Sequence, residues 1–117
     1  MTDTFVRIGN PRVKERSSTT VTAYFRDSSN AAAVPSTVHY RIDDIAAEEN
    51  ITGWTSVTPA ASVSIAIKSN ENRILANGNK RERRQITVAA DKGTDTETRD
   101  TAEWFIENIG GYDEASP

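Results

Sequence analysis

Eighteen residues of this chain are isoleucine or valine, and only one, Leu75, is leucine. Fourteen threonines enlarge the β-branched set further. Branching at Cβ restricts the first side-chain torsion and suits a pleated, half-buried surface, whereas leucine is the commoner filler of helix cores. A chain with this choice of apolar residues is built for strands. Its 117 residues, 36% of them hydrophobic, suffice for one domain with one modest core.

The alternation of residues agrees. Val21, Ala23 and Phe25 fall on one face of a run from Thr19 to Arg26, with Thr20, Thr22 and Tyr24 on the other. Val38, Tyr40 and Ile42 alternate with His39, Arg41 and Asp43. Val63, Ile65 and Ile67 repeat the pattern, as do Ile86, Val88 and Ala90, and then Ala102, Trp104 and Ile106. Phe5, Val6 and Ile8 make a shorter first strand, and the stretch from Ile51 through Trp54 to Val57 another. Period-two runs with one apolar face are half-buried strands. About seven are expected.

Turn chemistry separates them. Gly9-Asn10-Pro11, Asp27-Ser28-Ser29-Asn30, Pro35, Thr58-Pro59 and Asp91-Lys92-Gly93-Thr94-Asp95 supply residues that tolerate left-handed backbone or fix φ. The segment Asn70 to Asn79 lacks alternation and is expected to hold a short helical turn that tucks a side chain or two under the core. The fold expected is all-β, an immunoglobulin-like β-sandwich of about seven antiparallel strands over residues 1–109, with a polar, frayed tail over 110–117. A small barrel is the competing architecture. The core should be built on Val21, Phe25, Tyr40, Trp54, Ile65, Val88 and Trp104, with both tryptophans in it.

Composition excludes several functions. No cysteine is present, which removes disulfides, thiol nucleophiles and thiolate zinc sites. The net charge of −3 is the wrong sign for holding phosphates, so no nucleic acid is expected. No apolar run approaches the roughly 20 residues that span a bilayer, and the N-terminus does not read as a signal peptide, so no membrane is expected.

The remaining constellations are read against plainer alternatives. His39, the only histidine, is expected on the surface. Asp43, Asp44, Asp91, Asp95 and Asp100 match no calcium loop and read as turn formers. Asn50-Ile51-Thr52 matches a glycosylation sequon and is taken as chance. Lys80, Arg81, Arg83 and Arg84 form the densest basic stretch, either a patch for an acidic partner or a strand balanced by the acidic strand that holds Glu103 and Glu107. No catalytic residue, no metal ligand and no cofactor is assigned.

The succession from Arg16 to Asp27, Val34 to Asp44, Trp54 to Ile67, Arg84 to Asp91 and Glu103 to Ile109 resembles small immunoglobulin-like proteins encoded among the structural genes of tailed bacteriophages. The resemblance implies a non-enzymatic virion protein, made in the host cytoplasm and present in multiple copies. Its partners would be other virion proteins, the major capsid protein or those of the neck and tail. Capsid decoration or cement is the leading role, with a head–tail connector or tail component as the alternative. The reading from another class is a sandwich that binds carbohydrate or a host surface through exposed rings, for which Tyr24, Tyr40 and Phe105 are available. Phe5, Val6, Arg7 and Ile8 and the acidic tail are the candidate docking segments, beside the basic stretch.

Overall fold

The alternating runs become eight strands in a computed structural model that describes residues 2–76 and 78–109. They are β1 (Asp3–Ile8), β2 (Arg12–Lys14), β3 (Thr19–Arg26), β4 (Val38–Asp44), β5 (Glu49–Val57), β6 (Ser62–Ile67), β7 (Arg81–Ala90) and β8 (Thr98–Glu107). One sheet has the order β1-β3-β6 and the other β2-β8-β7-β4-β5. The two face each other across one core. Val6, Val21, Phe25 and Ile65 come from the first sheet, and Val38, Tyr40, Ile42, Val88, Trp104 and Ile106 from the second. The tail expected over 110–117 lies outside the described residues.

The strand beyond the expected seven is β2, and it corrects the expectation of purely antiparallel pairing. It runs parallel to β8, with Val13 opposite Ile106. The physical reason is the break at Gly9-Asn10-Pro11. Proline has no N–H to continue the first ladder, but its carbonyl accepts the Phe105 N–H at 2.7 Å, and the chain passes from one sheet to the other. Val13 then enters the core.

Trp54 is the second correction. Trp104 is 0% exposed in the core, but Trp54 is half-buried and belongs to the opposite face of the same sheet. Val57 packs against the core, and Thr55, opposite Tyr40, is on that inward side. Trp54 is one residue out of phase, so it points outward. The β4–β5 ladder slips between Tyr40 and Ile42 and again between Ile42 and Asp43, so parity cannot be carried through from Ile51.

A 3-10 turn at Ser69–Asn72 closes one end of the core, at the start of the segment where a helical turn was expected. The buried side chains it provides, Glu71 and Asn72, are polar, and Ile74 follows them inside. Asn72 accepts the Trp104 indole N–H at 2.8 Å and donates to the Ser17 carbonyl at 2.7 Å. Glu71 accepts the Lys68 N–H at 2.7 Å and the Thr52 hydroxyl. Asn72 and Glu71 thus both meet partners that offset their desolvation. Burial, with the Glu71 carboxylate nearby, pushes the Tyr40 phenol above its ordinary value.

Candidate functional site: the outer face of the three-stranded sheet

Strand parity divides the Phe5–Ile8 segment between two roles. Val6 is 4% exposed and lies in the core, and Ile8 packs against it. Neither is a surface docking residue, because β1 is a full partner of β3 along its length. Phe5 and Arg7 have the other parity and point outward. Opposite Phe5 in the ladder stands Tyr24, 39% exposed, and opposite Asp3 stands Arg26. Two rings and two guanidiniums therefore share one face. Phe5, Arg7, Tyr24, Arg26 and Asn30 line a cavity of about 320 Å³, and an adjoining one of about 430 Å³ shares Phe5, Arg26 and Asn30 and adds the carboxylates of Asp3 and Asp27.

Both arginines are held by carbonyls. The Arg7 Nη1 donates to the Val6 carbonyl at 3.1 Å and the Arg26 Nη1 to that of Asn30 at 3.2 Å. No carboxylate pairs with either among the described residues. Asp3, across the ladder from Arg26, turns its Oδ1 to the Thr4 N–H at 2.9 Å. Asn30 is placed by its turn. Asp27 Oδ1 accepts the N–H groups of Ser29 and Ala31 at 2.9 and 3.0 Å, and Asn30 takes a left-handed φ of 64°. Toward β6 the same face continues as short hydroxyl side chains, with Thr22 opposite Ser64 and Tyr24 opposite Ser62.

The edge of β1 is already occupied. Val6 N–H donates to the Asp100 carboxylate of β8 at 2.8 Å, and Thr4 N–H is taken by Asp3. An added strand would have to displace both.

The five-stranded sheet carries an aromatic–cation cluster of a different kind. Arg41, Lys92 and Arg99 place their charged groups 5.7, 5.0 and 5.1 Å from the centre of the Trp54 ring. Arg41 is also bonded bidentately to Asp43 at 2.8 and 2.7 Å, and Arg99 to Glu97. Burial pushes the Asp43 carboxyl up, but hydrogen bonds from Arg41 and Asn50 and the Arg41 charge outweigh it and hold the group below its ordinary value. The Gly93 N–H, and then Arg99, lower that of Glu97. The Asn50 amide of the sequon is engaged with Asp43 at 2.9 Å and with the Thr52 carbonyl at 3.0 Å.

The basic stretch separates in the same way as β1. Lys80, Arg81 and Arg83 are exposed, with the Arg81 guanidinium 4.6 Å from the Phe105 ring centre and Arg83 3.9 Å from Glu103. Arg84 is 0% exposed, so it cannot belong to a surface patch. It bonds Asp44 and the Arg73 carbonyl, and Glu82 at 3.2 Å. Glu82 in turn accepts the N–H groups of Leu75 and Ala76 at 2.8 and 3.0 Å and the Asn79 amide at 2.8 Å. Burial raises the Glu82 carboxyl, yet these donors outweigh it and leave the group below its ordinary value. Sequence reasoning missed this network. Its only local signal is a glutamate and an arginine at inward-facing positions of one strand.

The aspartates have backbone partners, in the same turn for Asp44 but on distant segments for Asp91 and Asp100. Asp91 Oδ1 accepts the Ser36 N–H at 2.8 Å, Asp44 Oδ1 the Ala47 N–H at 2.8 Å, and Asp100 the Val6 N–H. Among the described residues no three histidine, cysteine, aspartate or glutamate side chains gather where a metal could sit. His39 lies half-buried on the outer face of β4. Set against known proteins, the chain matches no family model and no curated sequence.

Proposed function

We propose that this chain is a non-enzymatic structural protein of a tailed-bacteriophage particle, built as an immunoglobulin-like β-sandwich and acting as capsid decoration or cement. The strand order carries the proposal. β3 and β6 share one sheet, β4, β7 and β8 the other, and β5 adds to the edge beside β4. Immunoglobulin-like sandwiches distribute their B, E, C, F, G and C′ strands in this way. That arrangement supports the architecture that the sequence resemblance implies, and the resemblance in turn supplies the virion role.

The buried polar side chains favour the same reading. Asn72, Glu71 and Glu82 each hold a loop through backbone groups, so their chemistry is spent on the fold. What the molecule offers outward is two sheet faces. A weak contact at such a face becomes stable when many copies engage one symmetric particle.

The test is location. Purified particles of the virus that encodes this chain are labelled with an antibody against it and viewed by electron microscopy. Label over the head supports decoration. Label at the neck or tail replaces that role with a connector or tail protein, and particles without label overturn the virion reading.

A further inference from the structure

We propose that the outer face of β1 and β3 is a binding site for an acidic carbohydrate, in which a sugar ring stacks on Tyr24 beside Phe5 and its carboxylate is taken by Arg7 or Arg26. The inference concerns this face alone and does not depend on the virion reading.

Three observations point there together. Tyr24 and Phe5 are directly opposite in the ladder and line one cavity, with the Tyr24 ring more than a third exposed. The π face of a ring is slightly negative and accepts the slightly positive C–H face of a pyranose. Arg7 and Arg26 line the same cavity and are anchored by carbonyls, which orient a guanidinium without neutralising it. The planar fork of arginine matches a carboxylate bidentately, and a pre-positioned side chain loses less entropy on binding. The short hydroxyls of Thr22, Ser62 and Ser64 extend the face toward β6, where they can bond sugar hydroxyls.

An acidic peptide is the other polymer with this charge, and the geometry favours it less. Peptides commonly dock by adding a strand, but the outward amides of β1 at Thr4 and Val6 are occupied by Asp3 and Asp100. The chain as a whole is also acidic, at −3, so general attraction of a polyanion is not expected. Any uptake has to come from a local arrangement. The Trp54 cluster serves less well, since two of its three cations are paired to carboxylates and all three sit against the ring that a sugar would need.

The full chain is titrated with a galacturonic acid hexamer, with the same hexamer fully methyl-esterified, and with a hexaglutamate, by calorimetry and by amide chemical shifts. The uronate hexamer is expected to bind, with the ester and the glutamate peptide weaker by about tenfold or more. Tyr24→Ala and the double variant Arg7→Ala/Arg26→Ala should each weaken uronate binding by about tenfold or more while the protein stays folded, with cooperative thermal unfolding retained. Equal binding of hexaglutamate would overturn the carbohydrate assignment in favour of acidic peptides. No uronate binding at millimolar concentration, or binding indifferent to both variants, would overturn the site.

Discussion

The two sheets each present an aromatic–arginine cluster to solvent, and the clusters differ in what their arginines are bonded to. On the five-stranded sheet Arg41 and Arg99 are paired with Asp43 and Glu97 and sit close to the Trp54 ring. That cluster is closed: both arginines are matched by carboxylates, and Lys92 with them covers the ring. On the three-stranded sheet Arg7 and Arg26 meet only carbonyl oxygens, and Tyr24 is open beside them. The residue types are nearly the same. Their satisfaction by neighbours decides which face is structural and which is receptive, because a paired charge has little interaction left to offer a ligand.

Substitutions can break this contrast, and the inner face sets the scale. Trp104→Ala should cost about 3–5 kcal/mol, since it empties the core and leaves Asn72 without its indole donor. Denaturant unfolding measures it directly. Arg84→Ala should cost about 3–5 kcal/mol by the same measurement, because Asp44 and Glu82 would be left buried without their cation. Arg83→Ala, on the exposed face of the same strand and opposite Glu103, should change stability by no more than about 1 kcal/mol. Similar losses for Arg83 and Arg84 would refute the division of the basic stretch.

Acid should act in part through Glu82, the most deeply buried of the three carboxyls held below their ordinary values. Its folded carboxyl titrates below the ordinary 4.5, so the unfolded chain binds more protons in that window and stability falls as pH drops below about 4.5. Melting temperature followed from pH 6 to 3 should decline, and the decline should be shallower in Glu82→Gln. An equal slope in the two proteins would leave the decline to other carboxylates, such as Asp43 and Glu97, and remove Glu82 as a contributor.

The outer faces come last in size. Trp54→Ala should cost about 1 kcal/mol, the scale of exposed cation–π contacts, and well below the loss at Trp104. Equal losses at the two tryptophans would show that both fill the core after all. Tyr24→Ala should shift stability by no more than about 1 kcal/mol, the scale of its cross-strand pairing with Phe5. A loss of several kcal/mol there would make the open face structural and end the contrast between the sheets.

Much of the fold was legible along the chain. Alternation at Val21, Ala23 and Phe25, at Val38, Tyr40 and Ile42, and at Ala102, Trp104 and Ile106 identified strands and inward faces, because side chains on a strand alternate whatever the strand pairs with. The turn residues were legible for a similarly local reason: Asn30 and Asp91 take left-handed backbone, a conformation that asparagine and aspartate adopt more readily than most residues. Trp54 was misread because the expected strand joined Ile51, Trp54 and Val57 at intervals of three, and no single face of a strand has that spacing. Counting back by twos from Val57 reaches Thr55 and passes over Trp54.

The candidate site was legible by halves. Phe5 and Arg7 stood out in the first strand and Tyr24 as a ring opposite the core, but nothing local joins residues nearly twenty positions apart. The antiparallel register of β1 and β3 does so. Sequence by itself determined that this chain makes strands, where they turn and which side chains alternate, since those depend on Cβ branching, φ preferences and a period of two. Only the tertiary structure decided that β2 crosses to run beside β8, that Arg84 is buried between Asp44 and Glu82, and that two arginines meet two rings without a carboxylate ion-paired to either among the described residues. Those outcomes depend on which distant groups arrive within hydrogen-bond reach, and a buried or unneutralised charge is defined by its neighbours in space.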